Sequence, residues 1–85
     1  MQNKTDKKKE IVLDVSEFEA PEPLIRAVVA LESLKEDEIL LFVHRMNPRH
    51  LFNEIAVRGL FYTVIADEPN RFELKIWREK NVSGS

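Results

Sequence analysis

His44, Arg45, Asn47, Arg49 and His50 fall within one seven-residue stretch, and Ser16, Glu17, Glu19 and Glu22 form a second polar group nearer the N-terminus. Arginines and imidazoles beside the amides of a helix N-terminus suit a carboxylate, a phosphate or another oxoanion. Neutral imidazole with a carboxylate suits zinc, iron or copper, so His44 and His50 with Glu19 or Glu22 form an alternative metal set. Their six-residue separation fits no short metal motif. A nucleophile set can also be written on paper from Ser16, His44 and Asp14, although nothing in the spacing fixes its geometry. The bland alternative has His44 packed near Pro48 and paired with Glu22, with His50 exposed on a helix. The chain has no cysteine, which excludes a disulfide, a thiolate metal site and a persulfide.

The elements that must position these groups follow from periodicity. Ile11 to Val15 is a β-branched run that reads as the first strand. Pro21 stands where a helix begins, and Leu24, Ala27, Val28, Leu31 and Leu34 recur at the spacing of one helical face, so the helix runs to about Leu34. Five consecutive apolar residues, Ile39 to Val43, predict a central strand buried on both faces. Asn47 as N-cap, Pro48 at the first helical position and Gly59 as the left-handed stop delimit a second helix to Arg58, with Leu51 and Ile55 on its buried side. A hairpin ends the chain, with strands from Leu60 to Ala66 and from Arg71 to Trp77. In the last strand Phe72, Leu74 and Ile76 alternate with Arg71, Glu73, Lys75 and Trp77, so Trp77 is expected on the side away from the helices. Phe42, Tyr62 and Val64 are expected beside it, as an apolar patch suited to a protein contact.

The order is β-α-β-α-β-β, and right-handed crossovers place both helices on one face of a four-stranded mixed sheet. The fold class is α+β, a two-layer α/β sandwich, with residues 10–79 as the domain, 1–9 as a disordered charged tail and 80–85 as a frayed one. Parallel strands followed by helices bring the two polar groups to one sheet edge, the usual ligand crevice of such layers. At 85 residues, with 44 % hydrophobic and 33 % charged, the chain makes one globular domain. Its longest apolar run is far short of the roughly 20 residues of a membrane helix, and no signal peptide is legible, so a cytoplasmic location without membrane contact is expected. Residues 1–9 carry +3 of a chain total of −2, so the body stands at −5, which argues against nucleic acid as a partner.

The segment Leu13 to Pro23, Leu-Asp-Val-Ser-Glu-Phe-Glu-Ala-Pro-Glu-Pro, resembles the signature of the TusA/SirA-like sulfur carriers, a Leu-Asp strand followed by Cys-Pro-x-Pro at the first helix. Ala20 stands at the position of the sulfur-bearing cysteine, and Pro21 and Pro23 match the two prolines. Still more similar is a bacterial group of the same fold in which Pro-Glu-Pro-Leu is kept, the cysteine is commonly missing and His-Arg-x-x-Pro follows the second strand, here His44 to Pro48. Domains of that group often stand beside hemerythrin-like domains, which the resemblance turns into a hint of redox or nitrogen-oxide physiology. A methyl group at Ala20 cannot become the thiolate that accepts sulfur, so sulfur transfer is excluded. The expected role is a non-enzymatic accessory domain, needing no cofactor, that recognises a protein partner or a small anion at the edge formed by Glu19, Ala20, Pro21, Glu22, His44, Arg45, Asn47, Arg49 and His50. The alternative is a metal- or cofactor-binding redox accessory using His44 and His50. A monomer or weak homodimer is expected.

Overall fold

The computed structural model describes residues 8–79, and both tails apart from Lys8 and Lys9 lie outside that range. Six elements follow in the expected order: β1 (Lys9–Asp14), α1 (Glu22–Ser33), β2 (Glu38–His44), α2 (Arg49–Val57), β3 (Phe61–Glu68) and β4 (Arg71–Trp77). They build one open sheet in the order β1-β2-β4-β3, with β1 parallel to β2 and the other pairs antiparallel. β1 opens two residues ahead of Ile11, because the Lys9 and Glu10 positions pair alongside Glu38 and Ile39.

One face of the sheet is covered. Leu40 and Phe42 of β2, with Phe72, Leu74 and Ile76 of β4, are buried against Ala27 and Leu31 of α1 and Leu51 and Ile55 of α2. β2 is central, but it is not buried on both faces. Ile39, Leu41 and Val43 point to the open side and are half-buried, because two helices supply cover for one face only.

The apolar patch expected on the open face has a different membership. Phe42 is fully buried, and Tyr62 and Val64 stand opposite Ile76 and Leu74, on the helix side, where 46 % and 45 % of their surface stays exposed at the sheet edge. Phe61 is the residue that stacks on Trp77, with ring centroids 6.3 Å apart. The phase follows from pairing Phe61 with Trp77, and a bulge between Val64 and Ala66 then shifts the register by one residue.

Local signals account for the ends of the elements. Gly59 takes φ +68°, a left-handed conformation that ends α2. In the hairpin Pro69 fixes one turn angle and Asn70 accepts φ +66°. The carbonyls of Leu31 and Leu34 at the end of α1 accept from the Arg78 guanidinium, at 3.2 and 3.0 Å. That helix has no basic residue in its own last turn, so Arg78 brings the complementary charge from across the molecule.

Candidate functional site

β1 and β2 run side by side in parallel, so the loops that leave them emerge at the same sheet edge and run into α1 and α2. Between these loops lies a cleft of about 440 Å³. Glu19, Ala20, Pro21, His44, Arg45, Asn47, Arg49 and His50 line it. Glu22 does not: its carboxylate is paired with Arg26, one helical turn on, at 3.0 Å. The cleft walls also include Phe18, Pro23, Leu24, Met46, Pro48 and Leu51. These apolar members were missed in the sequence because each reads as loop filler or core. Phe18, the lone aromatic in an otherwise polar connection, was the available signal.

Arg45 holds the first loop in place. Its guanidinium donates to the carbonyls of Ser16 at 2.8 Å and Phe18 at 3.2 Å, and to the Glu19 carboxylate at 3.2 Å. Three acceptors occupy it, so its role is to position the β1–α1 loop. On the far side of that loop the guanidinium of Arg26 lies 4.2 Å over the Phe18 ring, which fixes the aromatic in the wall.

The two helix N-termini differ. In the first turn of α1 the Glu22 amide donates to the Glu19 carbonyl, the Leu24 and Ile25 amides share the Pro21 carbonyl, and Pro21 and Pro23 have no amide hydrogen. That first turn therefore offers no free amide. Pro21 occupies the cap position rather than the first helical one, following a cis Ala20–Pro21 peptide bond. In α2 Pro48 is again the cap residue, and Asn47, expected as the side-chain cap, makes no capping bond. Asn47 contributes its carbonyl instead, which accepts the Arg49 amide at 3.1 Å, while the Leu51 amide donates to Pro48 at 2.8 Å. Among the described residues the His50 amide has no acceptor. No acidic residue stands in that first turn. Arg49 and His50 stand there, where positive charge opposes the helix dipole.

His44 closes the cleft at the end of β2. It is 6 % exposed, the only buried polar side chain among the described residues, and its Nδ1 has no hydrogen-bond partner. The Phe42 ring meets it edge-on at 6.0 Å. Burial, and after it the neighbouring Arg45 guanidinium, holds the imidazole below its ordinary pKa of 6.5, against the opposing pull of Asp14, the Val15 backbone and Glu19. Burial therefore favours the neutral form of the ring. The nucleophile set does not assemble: Asp14 accepts from the Ser16 amide at 3.0 Å, its carboxyl is held below the ordinary value by the Ser16 side chain first and that amide second, and no hydrogen bond joins His44 to Ser16 or Asp14. The pairing of His44 with Glu22 is likewise not made. His50 is exposed on α2, and among the described residues no group of three or more His, Asp or Glu side chains is placed to hold a metal. Nor is any helix among them long and apolar enough to cross a membrane.

The cleft thus combines an apolar wall on the α1 side with an electropositive rim on the α2 side, where two arginines outweigh the single Glu19 in a chain of net charge −2. No curated protein and no solved structure matches the chain. One family model does match, over residues 12–78, from the β1 strand through the Arg78 cap of α1, and the chain belongs to that family, described as uncharacterized conserved protein (DUF2249).

Proposed function

We propose that this chain is a non-catalytic binding domain that recognises a small anion in the cleft between the β1–α1 and β2–α2 loops. The observation that carries this reading is the pairing of a buried imidazole that lacks a partner, His44, with the uncapped N-terminus of α2. An unsatisfied buried polar atom costs stability, and basic residues at a helix N-terminus cost a little more. An anion at that point would offset both, by accepting from the His50 amide and drawing His44 toward its protonated form.

The resemblance to the sulfur carriers supports the same edge as the place of function, with Ala20 in the cleft lining where that family has its cysteine. Without a thiol the edge is left with recognition alone. A protein partner could present a carboxylate to the same rim, but a concave cleft fits a small ligand better than a flat contact. For the metal reading, His44 and His50 come without a third ligand among the described residues.

The test is an amide and histidine side-chain NMR titration of the protein with phosphate, sulfite and zinc in turn. Phosphate or sulfite should shift the His50 amide and the His44 ring together, at millimolar concentration or below. If zinc alone moves them, or if neither anion does, the reading is wrong.

A further inference from the structure

Resting on the anion reading of this cleft, we infer that its ligand is an apolar organic monocarboxylate whose carboxylate sits at the α2 end and whose hydrocarbon body lies along the α1 end. The asymmetry of the two helix N-termini carries the inference. At α2 the His50 amide has no acceptor among the described residues and Arg49 is exposed; at the end of β2 the Nδ1 of His44, a cleft-lining side chain more than nine-tenths buried, has no partner among them. At α1 every first-turn amide is already bonded or removed by proline. Phe18, Pro21, Pro23 and Leu24 line the cleft there.

A purely inorganic oxoanion would leave that wall unused. A doubly charged phosphate would also meet Glu19 across the cleft, with Arg45 already committed to the loop carbonyls and to Glu19 itself. A single negative charge matches the supply better: among the described residues Arg49 is the one lining arginine without an ion-pair partner, and the His50 amide stands next to it. A volume of about 440 Å³ lies within the range of pockets that hold small organic ligands. Met46, 56 % exposed at the rim, is positioned to cover the hydrocarbon body, and a flexible thioether adapts to chains of different shape.

Three probes separate the parts: octanoate, which has both charge and body; inorganic phosphate, which has charge alone; and octanol, which has body alone. Binding is followed by NMR shifts of the cleft residues and by calorimetry on the full chain. Octanoate should bind at least about thirtyfold more tightly than either of the others, as expected when burial of several methylenes adds to the charged contact. Met46→Gln, at an exposed position where folding is unaffected, should weaken octanoate about threefold to tenfold and leave phosphate unchanged. If phosphate binds at the cleft and octanoate binds no better, the anion reading stands and the organic ligand is refuted. If octanol matches octanoate, or if no probe binds, both fall. Shifts centred on Phe61 and Trp77 of the open face instead of the cleft would also overturn the inference.

Discussion

Replacing His44 by leucine should stabilise the domain while abolishing its anion binding. The imidazole is 6 % exposed and its Nδ1 is unpaired, and the mutational cost of such a buried unsatisfied polar atom is about 1–3 kcal/mol. Leucine removes that cost at nearly constant volume. A volume-conserving change with imperfect packing against Phe42 returns up to about 1.5 kcal/mol. The net gain at pH 7.5 is about 1 kcal/mol, which for a domain of this size raises Tm by about 4–8 °C.

The pH dependence makes the test sharper. The folded-state pKa of His44 lies below its unfolded value of 6.5, so the unfolded chain binds the proton more readily. Stability is therefore fully present above pH 6.5 and is lost as pH falls through 6.5 toward the folded pKa. His44→Leu lacks this loss, so its advantage over the natural sequence should widen between pH 7.5 and 5. Urea denaturation at pH 7.5, 6.5, 5.5 and 5.0, with phosphate absent, gives both quantities. A variant that is less stable at pH 7.5 and keeps the same pH slope would show that the imidazole is satisfied, and the account of the cleft built on it would be wrong.

Arg45→Met should cost about 1–2 kcal/mol, since it removes charge-assisted bonds to the Ser16 and Phe18 carbonyls from a partly exposed side chain. Amide exchange should quicken at Ser16 to Glu19, and unchanged exchange there would refute its role in holding the loop. Arg78→Met should cost a similar amount by uncovering the Leu31 and Leu34 carbonyls; exchange should rise in the last turn of α1 and stay level in α2. Gly59→Ala should cost about 1 kcal/mol from backbone strain alone, because nothing lies within 4 Å of an added Cβ. Gly59→Asn should cost less and Gly59→Val more, and the reverse order in urea denaturation would count against a left-handed stop.

The architecture was legible because its signals are local and redundant. The apolar run of β2, the one-sided alternation of β4, the prolines ahead of both helices and Gly59 behind the second each specify an element, and parallel strands followed by helices specify the edge where the loops meet. Hydrogen-bond allocation was not legible. Asn47 was expected to cap α2 with its side chain and contributes a carbonyl; Glu22 was expected in the cleft and pairs with Arg26. Both choices turn on rotamers and loop geometry within a few ångströms, which residue type does not determine. The phase of β3 was lost for a related reason: where nearly every residue from Phe61 to Ile65 is apolar, alternation carries no information about which face is which.

Three departures from local rules meet at the cleft: a buried histidine without a partner, a helix N-terminus without a side-chain cap, and basic residues where the dipole disfavours them. The N-terminus of α1 also lacks a side-chain cap, although its first-turn amides are bonded, and elsewhere the described residues obey those rules. Arg58 is paired with Glu32 and Glu54 at 2.7 Å each, Arg78 completes the end of α1, and the core is apolar throughout. Each departure alone costs about 1 kcal/mol or less to a few kcal/mol, a large share of what so short a chain can spare. Departures scattered at random would show only a marginal sequence. Gathered around one concave surface instead, they are the features on which the proposal of an anionic ligand rests.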